Sequence, residues 1–235
     1  MALTNTKMVS VFPKVIKFLT EVSLWRTFYF NLHYFPVSTA MRLPVFIFRH
    51  FHFHKMKGRI IIDAPVSTGM MKFGAQHIGI KDKTYPKSVW EVSGDLVLKG
   101  RANIAHSSKI CIEKNAKLTL GDGLLLSENV EIICKKEISF GRGCMVSWDT
   151  LFMDSDLHDI MDADGKVINP PQTITIGNHV WIGCRNTILK GVTIGDNNII
   201  AANSLVTRSV LDTSCIVGGH GKSLEVLKRN VDWRQ

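Results

Sequence analysis

The chain has 235 residues, 45% of them hydrophobic, which fits one domain with a real core and an appendage and excludes wholesale disorder. Five cysteines, odd in number and without a CxxC pair, point to a reduced, cytoplasmic protein. The net charge is +9, with no standard signal sequence and no apolar run of about eighteen residues, so neither export nor a membrane-spanning helix is expected.

The charge is concentrated at the start. Residues 1–57 hold Lys7, Lys14, Lys17, Arg26, Arg42, Arg49, Lys55 and Lys57 against Glu21 alone, a net +7 that leaves +2 for the other 178 residues. The same segment carries "FLTEVSLWRTFYFNLHYFP" and "LPVFIFRHFHFHK". Such a stretch reads either as a helical cap on the main domain or a neighbouring subunit, or as a peripheral element on the anionic inner face of the membrane. No nucleic-acid-binding motif continues the charge, so no nucleic-acid partner is expected. In "HFHFH", a strand would put His50, His52 and His54 on one face. One strand with no acid or cysteine nearby makes a poor zinc site, and no metal is expected.

From residue 174 the chain reads "ITIGNHVWIGCRNTILKGVTIGDNNIIAANSLVTRSV". Ile176, Ile182, Ile188, Ile194, Ile200 and Val206 recur at every sixth position. A helix needs period 3.6 and a strand period 2, so six fits neither alone. It fits a triangular prism with three short strands per coil, about eighteen residues per turn, stacked in parallel around an aliphatic core. Gly177, Asn178, Gly183, Gly195, Asn197 and Asn203 suit corners that need positive φ. Upstream, Leu120, Leu126, Ile132 and Ile138 keep one frame and Phe140, Val146 and Phe152 resume two residues later. Leu98, Ile104 and Ile110, then Ile112 and Leu118, slip likewise, which suggests a longer turn at one corner. The prism is expected over 58–217, preceded by the 1–57 segment and followed by a tail, 218–235, closing as a short helix. Phe152 and Ile174 are 22 positions apart, not a multiple of six, so 153–173 is a loop thrown out of the prism, with five acids and one histidine in "MDSDLHDIMDADGKVINPP". Loops on a rigid scaffold often carry function.

"ITIGNHVWIGCRNTILKGVTIGDNNIIAANSLVT" resembles the C-terminal coils of the hexapeptide-repeat acyltransferases, in particular the maltose/galactoside O-acetyltransferase-like branch that includes capsule and exopolysaccharide acetyltransferases. "SDLHDI" followed by "GKVIN" is similar to that branch's catalytic loop. The resemblance covers roughly 95–235, and departs from the family at "AANS" (201–204) and "GGHGK" (218–222). It implies an all-β, left-handed parallel β-helix, a homotrimer with sites between subunits, acetyl-coenzyme A as co-substrate, and a carbohydrate or lipid-linked glycan as acceptor. It also implies His158 as general base, with Asp156 orienting the imidazole or binding acceptor, and Asn129 as an acceptor contact. Asn129 reads equally as a corner chosen for turn geometry. The implied coenzyme contacts are Trp181, Cys184, Ala202, Thr207 and Arg208, with Lys222 and Arg229 serving the adenosine phosphates. Trp181 reads equally as a trimer-packing residue.

The chemistry agrees with this assignment. Acyl transfer from a thioester to a hydroxyl needs a proton acceptor and donors for the oxyanion. His158 suits the first role, and Asp154 and Asp156 beside it are read as orienting it or holding acceptor hydroxyls. Three alternatives stand beside this reading. One is an acetyltransferase of an amino-sugar or xenobiotic. Another is a non-catalytic assembly platform. The third is a metal-dependent carbonic anhydrase using His106, His158 and His179.

Overall fold

The computed structural model describes residues 20–75 and 86–234; Lys7, Lys14 and Lys17 of the basic segment lie outside them. Among the described residues, helices α1 (Leu24–Tyr34) and α2 (Val37–Ala40) precede the strands. The chain then coils through three strands per turn. The first coil is β1 (Val45–Ile47), β2 (Phe51–Met56) and β3 (Arg59–Ile62), so the prism begins inside the 1–57 segment. The second is β4 (Met71–Ala75), β5 (Ser88–Val92) and β6 (Asp95–Leu98), and the third β7 (Ala102–Ala105), β8 (Lys109–Ile112) and β9 (Lys117–Leu120). The fourth is β10 (Leu124–Leu126), β11 (Glu131–Cys134) and β12 (Glu137–Phe140). The fifth is β13 (Met145–Val146), β14 (Leu151–Met153) and β15 (Ile174–Ile176). The sixth is β16 (Trp181–Ile182), β17 (Thr187–Leu189) and β18 (Thr193–Ile194). β19 (Ile199–Ile200), β20 (Leu205–Val206), β21 (Cys215–Gly218) and β22 (Glu225–Arg229) finish the stack.

The strands form three faces. The first runs β1-β4-β7-β10-β13-β16-β19-β21, the second β2-β5-β8-β11-β14-β17-β20, and the third β3-β6-β9-β12-β15-β18, all in parallel pairing. Inward residues stack coil on coil. On the second face the register joins Ile110, Ile132, Phe152, Ile188 and Val206, and none of the five is exposed. Each fully buried aliphatic or aromatic side chain contributes about 1.5–3 kcal/mol, so such columns hold the coils together.

The two-residue slips have a different cause from a longer corner. Ile110 and Ile112 both point inward from β8, as do Leu118 and Leu120 from β9, and Ile138 and Phe140 from β12. The four-residue β8 and β9 each offer the core two side chains, whereas β17 and β18, of three and two residues, each offer one. The extra residues lie in strands, not in turns.

The corners also divide labour differently from the expectation. Positive φ falls on His179 (53°), Arg185 (59°), Asn197 (58°) and Asn203 (60°), and not on Gly177, Gly183 or Gly195. Those glycines are needed because the coils approach there. A Cβ on Gly183 would sit 2.7 Å from the Ala202 nitrogen, and one on Gly177 2.8 Å from the Asp196 nitrogen. Buried asparagines fasten the same corners. The Asn186 amide donates to the Gly183 carbonyl (2.7 Å) and accepts from the Ser204 N–H (2.7 Å).

At the start of the stack, α1 lies along the free side of β1. Thr27 Oγ1 accepts from the Ile47 N–H (3.0 Å), and the Asn31 side chain accepts from the Val45 N–H (3.1 Å) and donates to its carbonyl (2.7 Å). Phe30 meets Trp90 edge-on at 5.2 Å, and the Trp90 indole N–H donates to the Tyr34 hydroxyl (2.8 Å). Helix α1 is therefore a cap on its inner side. Burial pushes the Tyr34 phenol up to about 12, with the Trp90 hydrogen bond pulling the other way.

The tail is not a helix. After a single 3-10 turn, Gly221–Ser223, the chain becomes β22 and pairs antiparallel with β21. It then returns to the first face, where Trp233 stacks on His179 (4.4 Å, 7°) and donates to its carbonyl (2.9 Å). Among the described residues no helix is long and apolar enough to cross a membrane.

Candidate active site

The loop leaves the corner between the second and third faces. Leu151 pairs with Thr187, 36 residues on, whereas Glu131 pairs with Leu151 after 20, so the insertion is 16 residues. Its acids build the loop. Asp154 is fully buried, and its carboxylate accepts from the N–H groups of Lys135 (2.7 Å), Lys136 (2.8 Å) and Glu137 (2.8 Å). A carboxylate with three donors in the preceding coil is an anchor, so Asp154 neither orients an imidazole nor meets an acceptor. Asp162 closes a small hairpin, accepting from the N–H groups of Asp164 and Lys166 beneath the Met161–Val167 bridge.

Asp156 takes the Lys190 ammonium and the Asn169 amide (2.8 Å). The Lys190 hydrogen bond, then that of Asn169, holds its carboxyl below the usual value. Asn169 also donates to the His158 carbonyl (2.9 Å) and accepts from the Ile160 N–H (2.6 Å). Asp156 thus positions the backbone around His158 rather than its ring. Lys190 and Asn169 escape the sequence reading. Asn169 stands within "GKVIN", but nothing in the spacing marks Lys190 as its partner.

His158 itself is exposed, and its ring has no hydrogen-bond partner among the described residues. It follows Leu157, whose φ of 65° is unusual for a bulky residue. Ser155 Oγ supports that bend by accepting from the Leu157 N–H (3.0 Å). With this strained residue before it, and Ser155 and Asn169 fixing the backbone on either side, the candidate base is held exposed on the loop.

The other expected residues do not gather around His158 within one chain. Asn129 sits at the corner between the first and second faces with φ 55°, its amide donating to Asp149 (2.9 Å). Cys184 and Ala202 lie at the same corner two and three coils on. Trp181 is on the first face, its indole donating to Ser147 (3.2 Å) and lying 6.2 Å from Trp233. Thr207 and Arg208 follow β20 at the corner that carries the loop. The Arg208 guanidinium donates to the Leu224 carbonyl and borders a cleft of about 180 Å³ lined also by Val210, Val217 and Val226. Pockets for drug-sized ligands run to about 300–1,000 Å³, so this one houses at most part of a coenzyme. Lys222 is exposed on the 3-10 turn. Arg229 pairs with Asp212 (3.3 Å), so its charge is already engaged.

The histidines are dispersed too. His106, His158 and His179 occupy three different corners, and Asp232 takes His179 (3.1 Å). His52 and His54 share the outer side of β2, but His50 precedes the strand at φ 60° and faces His106 (6.0 Å). The three alternating histidines therefore do not form one face.

Comparison with known proteins adds to this geometry. The bacterial transferase hexapeptide family (six repeats) matches residues 173–208. A 24.8 kDa protein of the cps region of Klebsiella pneumoniae is 33% identical over 146 residues, 60% of this chain and 61% of that one. The polysialic acid O-acetyltransferase of Escherichia coli O1:K1 is 31% identical over 126 residues, 53% of this chain and 40% of that one. The chain thus spans about two fifths to three fifths of these relatives' lengths. The crystal structure of a polysialic-acid-specific acetyltransferase superposes with a TM-score of 0.54 at 21% identity, covering 79% of this chain and 89% of that one. That likeness is one of fold, the left-handed parallel β-helix.

Proposed function

From a left-handed parallel β-helix wound on the bacterial transferase hexapeptide repeat, we propose that this chain is an acetyl-CoA-dependent O-acyltransferase acting on a sugar hydroxyl. The acceptor is a surface polysaccharide or its lipid-linked precursor, a reading supported by relatives named for polysialic acid acetylation and for the cps region. The single observation that carries the proposal is the presentation of His158: an exposed imidazole on a loop stapled through Asp154, Asp156 and Asn169.

The reaction follows from that placement. The imidazole accepts the proton of the acceptor hydroxyl as its oxygen bonds to the thioester carbonyl carbon. The carbonyl oxygen becomes an oxyanion that needs a hydrogen-bond donor. Collapse breaks the carbon–sulfur bond, and the imidazolium returns its proton to the leaving thiolate. Because Asn129, Cys184 and Ala202 occupy another corner of the prism, the working site pairs His158 of one subunit with that corner of a neighbour in a homotrimer.

The test is acetyl transfer from labelled acetyl-CoA to acidic and neutral polysaccharides, with thiol release monitored. His158→Ala should leave a folded protein that binds coenzyme A while turnover falls by about 10²–10⁴-fold. Retention of more than about a third of turnover would remove His158 from the chemistry.

A further inference from the structure

Among the described residues nothing covers the outer side of the N-terminal cap. Thr27, Phe30 and Asn31 of α1 face the prism, while Leu24, Trp25, Phe28, Tyr29 and Leu32 face away, with Trp25 65% exposed. Spacings of three and four place these five in one stripe, and Val37 of α2 and Met41 just after it are exposed apolar residues as well. Beside the stripe the described residues line a cleft of about 630 Å³ that includes Trp25, Arg26, Arg49, His50 and Lys87. Arg26 lies 5.9 Å from the Trp25 ring centre, and among the described residues no carboxylate pairs with Arg26, Arg49 or Lys87.

Apolar area and a cluster of cations on one side of the domain narrow the choice of partner. A second copy joined through the same patch would bring like charges together. A soluble acidic glycan would match the cations and leave the Leu/Phe/Trp stripe in water. An anionic bilayer matches both: aromatic rings settle at headgroup level, and each nearby Lys or Arg is drawn to the negative surface. We propose that the outer face of α1 and α2, together with the Arg26–Arg49–Lys87 cleft, is a docking surface for an anionic phospholipid bilayer. Lipid phosphates would occupy the cleft, with Trp25, Phe28 and Leu32 entering the interface. The prism presents this helix already folded, so docking carries no cost of ordering it.

Deleting the whole 1–57 segment would remove β1 and β2 with the cap, so point variants are the appropriate probe. The experiment is flotation of the full chain with vesicles of phosphatidylcholine alone or mixed about 70:30 with phosphatidylglycerol, with acetyl transfer to a soluble acceptor as the folding control. The wild type should bind the mixed vesicles about tenfold or more tightly than the neutral ones, and lose that preference near 1 M salt. Trp25→Ser with Leu32→Ser, and separately Arg26→Glu with Arg49→Glu, should each weaken binding about tenfold or more. Equal binding to both vesicle types, no binding, or indifference to both pairs of substitutions would overturn the proposal. Displacement by millimolar glycerol phosphate would overturn it in favour of a soluble-anion site. A mass increase abolished by the Trp25/Leu32 pair would overturn it in favour of self-association.

Discussion

Asp154 and Asp156 carry the same group two residues apart, and their surroundings separate their roles. Asp154 points into the prism and meets three backbone donors; Asp156 points along the loop and meets Lys190 and Asn169. Since Lys190 holds the Asp156 carboxyl below its usual value, Asp156 is ionised at neutral pH and is a weak proton acceptor there. The sign of its pH dependence follows. Its contribution to loop order is fully present above the unfolded carboxyl value of about 3.9 and is lost as pH falls through the lowered folded value. Asp156→Asn or Lys190→Met should therefore loosen residues 155–170 at pH 7, seen as faster amide exchange. Turnover should fall while coenzyme affinity stays within about twofold. Unchanged exchange in both variants would show that Asp156 does not set the loop. The base candidate is legible in the sequence because it is the one histidine in the interrupted stretch. Its supports are not, because Lys190 reaches the loop only through the stacking of coils.

Helix α1 and the strands beneath it form the element on which the N-terminal end depends. Tyr34 ends α1 and receives the Trp90 hydrogen bond, and a phenol raised to about 12 favours the folded cap below the ordinary value near 10. That preference is lost as pH rises from there through 12. Absorbance titration of tyrosinate should show one of the three tyrosines ionising late, and Tyr34→Phe should remove the late step. A single transition near 10 would place Tyr34 in solvent. The strands are the most legible part of the chain, because one inward aliphatic per hexad survives any change of strand length. The two-residue slips mislead because Ile110 with Ile112, and Leu118 with Leu120, mimic a lengthened turn. Glycine misleads similarly. Gly183 is required by a backbone 2.7 Å away in the next coil, a contact between residues 183 and 202 that no local pattern announces. The tail is misread because β22 exists only through its pairing with β21.

At the scale of the molecule, the split of the expected site between two corners makes assembly testable. Light scattering should give about 79 kDa, three times the chain mass of 26.3 kDa. Asn129→Gly keeps the positive φ of that corner and removes its amide, so it separates turn geometry from chemistry. If Asn129 serves His158 of a neighbour, Asn129→Gly and His158→Ala trimers, unfolded and reassembled together in equal amounts, should regain about a quarter of wild-type activity. No recovery, with both variants trimeric, would place both residues in one subunit's site. The antiparallel pairing of β22 has a further consequence. A stack of parallel coils is in principle endless, since each last strand offers a row of unsatisfied amides and carbonyls to another. Here the chain turns its own tail against β21 at one end, while Thr27 and Asn31 occupy β1 at the other. Both ends of the first face, the longest of the three, are thereby consumed internally. A chain truncated after residue 218 should retain its coils and pass into sedimentable, fibre-like aggregates, because the ends of the prism are what keep it a discrete particle.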